Sequence, residues 1–187
     1  MTKARDLANG GFGLVLVKPS SVVGGTDNGK GTVNFSGVST VSLNNCFNST
    51  YRNYKVIIDY VPATTSGAFS LRLRSSGSDN STSNYQRSII YMGASTPLQT
   101  RASQSDWSLL GNLANDYYSL SFDVFTPFAS LHTHAIGSTG YRNTSTTANE
   151  INNVQLGFSG TNSFDGISLL ANGPNITGTV SVFGYNN

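Results

Sequence analysis

Apolar and polar residues alternate along much of this chain with a period of two, and that period limits what it can fold into. Phe69, Leu71 and Leu73 interleave with Ser70, Arg72 and Arg74, and Leu120, Phe122 and Val124 interleave with Ser119, Ser121 and Asp123. In an extended strand successive side chains point to opposite faces, so each run has one buried and one solvated face. The same reading predicts strands at Thr32 to Phe35, Val38 to Leu43, Tyr54 to Val61, Gln86 to Met92, Leu131 to Ile136, Val154 to Phe158, Ile167 to Ala171 and Thr179 to Phe183. Turn-forming stretches separate them, such as Ser75 to Asn84, Gly137 to Gly140 and Asn172 to Asn175.

About ten strands with no crossover helices exclude a parallel sheet and predict an all-β antiparallel β-sandwich of jelly-roll type. Composition agrees. Glu150 is the one glutamate, and Ser, Thr, Asn and Gly dominate the polar positions, which suits strands and turns rather than helix surfaces. The cysteine pair of antibody-like domains is absent, since Cys46 stands alone; it reads as a small buried hydrophobe.

The 187 residues suffice for one domain. The division predicted is an N-terminal attachment arm and linker over 1–31, then the sandwich over 32–187. Within the arm, Thr2 to Asn9 reads as a short helix capped by Thr2 and stopped at Gly10-Gly11, and Pro19 to Gly31 reads as a Gly/Ser/Asn linker. No signal-peptide or membrane-span pattern is present, so the expectation is a soluble chain without membrane insertion.

A formal charge of +2 with scattered basic residues argues against a nucleic-acid surface. Low charge suits a surface packed against copies of itself or a larger assembly. No cofactor signature appears: the glycine pairs lack a phosphate-loop ending, and zinc-finger and EF-hand spacings are missing. The acids are dispersed, and no nucleophile elbow occurs, so no catalytic residues are expected. Asp106 beside Trp107 could line a sugar cleft or cap a turn. His132 and His134 share a strand face and could serve as metal ligands if three copies met on a threefold axis; otherwise they are polar residues on a solvated or interface face. Tyr85, Trp107 and Tyr141, close to polar loops, could stack on sugar rings, although core packing explains most aromatics equally well.

The opening Thr2, Lys3, Ala4, Arg5, Asp6, Leu7, Ala8 and Asn9, followed by a glycine break and an apolar extended segment, resembles the N-terminal attachment peptide of tail-fibre and structural proteins of marine and freshwater bacteriophages. Tyr54 to Tyr60, Ser70 to Arg74 with its Ser/Gly/Asn loop, and Gly178 to Tyr185 are similar to the sandwich part of such proteins. The resemblance implies a virion protein whose arm, Thr2 to Ala8, anchors to other virion proteins while a β-sandwich, assembled as a homotrimer, projects outward; read as a tail-fibre or baseplate adhesin, it would bind host-surface glycan. The alternatives are a capsid decoration protein that stabilises the head and, third, a glycan depolymerase.

Overall fold

The computed structural model describes residues 13–63, 68–91, 98–110, 117–142 and 149–186. Every regular element among them is a strand. In chain order these are β1 (Gly13–Leu16), β2 (Ser21–Val23), β3 (Thr26–Asp27), β4 (Val33–Val38), β5 (Thr40–Asn44), β6 (Asn53–Pro62), β7 (Ala68–Ser75) and β8 (Ser78–Asp79). They continue as β9 (Tyr85–Tyr91), β10 (Leu98–Gln104), β11 (Trp107–Leu110), β12 (Tyr118–Phe125), β13 (Thr133–Arg142), β14 (Asn149–Phe158), β15 (Gly166–Asn172) and β16 (Ile176–Asn186).

Pairing is antiparallel throughout and builds two sheets. The larger runs β10-β9-β14-β13-β12-β6-β16-β4-β3, and β1 pairs with the later part of β16, Leu16 opposite Phe183. The smaller runs β11-β7-β15-β5-β2, with β8 folded against β7. The chain passes back and forth between the two sheets, which closes the jelly-roll sandwich that the alternation predicts.

The period of two decides which side chains enter the core. Along β6, Tyr54, Val56, Ile58 and Tyr60 are buried while Asn53, Lys55, Ile57 and Asp59 are only partly covered. From the other sheet, β7 contributes Phe69, Leu71 and Leu73, and β15 contributes Ile167 and Leu169. Register then aligns Tyr60, Tyr118 and Tyr141 on three adjacent strands, with ring centroids 5.0 Å and 5.2 Å apart. Phe69 stacks on Tyr60 at 4.5 Å and joins the two sheets. Offset-stacked pairs of this kind add about 0.5–1.5 kcal/mol each beyond the area they bury.

On the outer face of the smaller sheet, Arg74 is buried. Its Nη1 donates to Ser42 Oγ at 3.0 Å and Ser168 Oγ at 2.8 Å, and its Nε donates to Asn44 Oδ1 at 3.0 Å. Asp79 and the Gly77 carbonyl complete the set. Both come from the Ser75 to Asn84 turn, which folds back over the sheet and neutralises the guanidinium.

Three expectations need correction. Residues 13–31 belong to the sandwich: β1 pairs with β16, β2 with β5 and β3 with β4, so the linker reading of Pro19 to Gly31 fails. Gly24 serves close packing: its φ is 75°, and a Cβ on it would lie 2.0 Å from the Thr40 carbonyl oxygen. The turn expected at Gly137 to Gly140 is the second, since those residues lie inside β13 and pair with β14, and strand count is the third. β2, β3, β8, β10 and β11 lie outside the predicted set, being short or too polar to show alternation. The proposed helical arm and the attachment residues Thr2 to Ala8 lie outside the described residues.

The strand ends flanking 64–67, 92–97, 111–116 and 143–148 gather at one end of the sandwich, as the pairing of Tyr60 with Tyr118, Tyr118 with Tyr141, and Tyr91 with Asn152 requires. Gly13, where the described chain starts, lies at the opposite end, across from Asn186.

Candidate binding site

The three aromatic residues proposed for sugar stacking are structural. Tyr85 and Trp107 are fully buried. The Tyr85 hydroxyl donates to the Asn80 carbonyl at 2.8 Å and accepts from the Leu73 amide at 3.0 Å, and its ring packs edge-on against Trp107 and Phe158. Trp107 Nε1 donates to the Gly157 carbonyl at 2.8 Å. Tyr141 is half-buried, stacked on Tyr118, with its hydroxyl bonded to Glu150. Burial, followed by that carboxylate, raises its pKa above the ordinary phenol value. These rings pack in or against the core because each occupies an inward position of its strand, which overrides proximity to a polar loop. Asp106 pairs with Arg72 at 3.8 Å, and burial raises its pKa.

The two histidines have a different fate. His132, just before β13 rather than on a strand, and His134 on β13 border one open groove of about 600 Å3 on the solvent face of the larger sheet. Register sets its geometry: His134 on β13 lies opposite Gly157 on β14, and Gly157 lies opposite Gln86 on β9. One step along, Gln155 lies opposite Ser88, and Ser88 opposite Thr100 on β10. Gly157 is the floor. A Cβ there would stand 3.7 Å from Gln86 Oε1 and 3.9 Å from His134 Nδ1, ordinary contact distances, so the glycine leaves open a space that a side chain would fill. The floor is also held from beneath, because the Gly157 carbonyl accepts the Trp107 indole bond.

The groove's size falls within the range of small-ligand sites, and its lining contains no carboxylate. Gln86, Ser88, Thr100, Gln155 and the imidazoles offer donors and acceptors suited to hydroxyl-rich ligands, and Arg87 and Arg101 border the same groove. Among the described residues no three or more His, Cys, Asp or Glu side chains converge as metal ligands, so a metal on His132 and His134 would need ligands from further copies. Sequence reasoning missed Gly157, Gln86 and Gln155. The available signal was a glycine at an outward strand position, which marks close approach of a ligand or another chain.

No family of known proteins is matched by the sequence, and no curated protein resembles it in sequence. Among solved structures, the Caenorhabditis elegans galectin LEC-6 is similar at a TM-score of 0.36 and 10% identity, covering 81% of this chain and 96% of the galectin. A protein of unknown function from Shewanella oneidensis MR-1 is similar at a TM-score of 0.30 and 9% identity, over 92% of this chain and 79% of that one. A glycosyl hydrolase family protein from Mycobacterium fortuitum is similar at a TM-score of 0.27 and 9% identity, over 89% and 94%. At such scores the likenesses carry nothing about function, and the antiparallel sandwich stands on the strand pairing described above.

Proposed function

We propose that this chain is a structural protein of a tailed-bacteriophage particle, a tail-fibre or baseplate-associated module that anchors through its N-terminal arm and presents a trimeric sandwich to host-surface glycan. The observation that carries the binding part is the groove over Gly157, open to solvent and bordered by neutral hydrogen-bonding side chains together with Arg87 and Arg101. Weak single sites of this kind become useful when several copies act together. The attachment part rests on the resemblance of Thr2 to Ala8 to phage attachment peptides. It is supported by the position of Gly13, at the end of the sandwich opposite the clustered strand ends.

The test is antibody labelling of intact particles viewed by electron microscopy. Label at the tail tip is the expected result. Label over the whole head would replace this reading with capsid decoration, and particles without label would remove the virion assignment. The trimer is tested by sedimentation of the purified chain, which should run at about three times its chain mass at micromolar concentration.

A further inference from the structure

The cross-strand register of β9 and β10 sets Arg87 directly opposite Arg101. Like charges in that relation destabilise a sheet, and a buried guanidinium normally has a carboxylate beside it. No ion pair relieves either condition here. The ion pairs among the described residues are Lys18 with Asp27, Lys55 with Asp123, Arg72 with Asp106, and Arg74 with Asp79, and they include neither arginine. Asp106 acts on Arg87 but is committed to Arg72.

The two arginines differ in how they meet solvent. Arg87 is 6% exposed; one of its terminal nitrogens donates to the Ser108 carbonyl on β11, while its buried Nε has no partner. Its pKa is lowered, chiefly by burial, with Arg101 among the charges that add to the effect. Arg101 is exposed. β9 packs against β11, the edge of the smaller sheet, and β10 lies one strand further out, exposed on both faces from Leu98 to Ser103. The bond to Ser108 turns Arg87 toward the smaller sheet, register turns Arg101 the same way, and both residues also border the groove over Gly157.

We propose that Arg87 and Arg101 form an oxyanion site under the edge of the larger sheet, and that it takes the carboxylates of an acidic glycan. An oxyanion beside the two would offset their repulsion and be reached through the exposed Arg101, since guanidinium groups favour carboxylates. The choice of a glycan carboxylate rests on the glycan-binding reading above; the anion site itself does not.

The experiment uses the full chain and its Arg101→Gln variant, which alters only an exposed edge position. Oligogalacturonate, its carboxyl-reduced neutral form and inorganic sulfate are titrated by calorimetry at constant ionic strength, and melting temperatures are recorded in chloride. Expected are binding of oligogalacturonate at least about tenfold tighter to the parent chain than to Arg101→Gln, no binding of the neutral form, and a variant melting in chloride no lower than the parent. Equal binding by both chains, or a lower melting temperature for the variant, would overturn the site. Sulfate binding alone, without oligogalacturonate, would overturn the glycan as its ligand. Failure here leaves the particle-labelling test untouched, and absence of label from particles leaves this titration untouched.

Discussion

Arg74→Met offers the sharpest test of how the outer face of the smaller sheet is held. The change keeps a long apolar stem and removes the guanidinium, which bonds Ser42, Ser168, Asn44, Asp79 and the Gly77 carbonyl. Ser42 and Ser168 still bond each other at 2.7 Å, and Ser168 still donates to Asp79 at 2.7 Å, so the main cost is an Asp79 carboxylate left without its cation. Removing one member of a buried pair costs about 3–5 kcal/mol. The Asp79 side chain is 24% exposed, which lets water share the load and places the expected loss near the lower bound, about 3 kcal/mol. At roughly 2–4 °C per kcal/mol for a chain of this size, the melting point should fall by about 6–12 °C. Urea unfolding followed by Trp107 fluorescence gives the free energy directly. The Arg74→Met/Asp79→Asn pair should be less destabilised than the sum of the single changes, by about 1–3 kcal/mol. A loss under about 1 kcal/mol, or coupling indistinguishable from zero, would mean that the turn bearing Asp79 does not close on the sheet.

Three further outcomes are expected. Gly157→Val should leave the fold as stable as the parent or stabilise it by about 0.5–1 kcal/mol, since a β-branched residue suits a strand, while abolishing glycan binding in the groove; retained binding would displace the site. Burial pushes the Cys46 thiol from 9.0 up to about 12 and raises the phenols of Tyr54, Tyr60 and Tyr85. Folded values above unfolded ones mean that this contribution is full below pH 9.0 and is lost as pH rises through about 12, so denaturant melts should show stability falling across that window, and a flat profile would refute it. Deleting residues 1–11 should leave the circular-dichroism melt unchanged but prevent incorporation into particles, whereas deleting 1–18 removes β1 from β16 and should lower the melt itself.

The long strands could be read from the sequence because their alternation has a single physical cause, one wet and one dry face, which needs no knowledge of partners. That was enough for the all-β class, the antiparallel sandwich, and the placing of His132 and His134 together. Tyr85 and Trp107 could have been assigned to the core by the same rule, had their parity with Ile89 and Leu109 been weighed above their nearness to polar loops. Tertiary structure alone decided the rest. Ser21–Val23 and Thr26–Asp27 became strands because β5 and β4 stood ready to pair with them, and a short polar segment carries no local record of such a partner. Gly157 became a groove floor, and Arg87 met Arg101, through the register of strands distant in sequence or joined by a long connection. A sequence specifies which face each side chain takes; which side chains then stand opposite one another depends on pairing between strands, and pairing is a property of the assembled sheet.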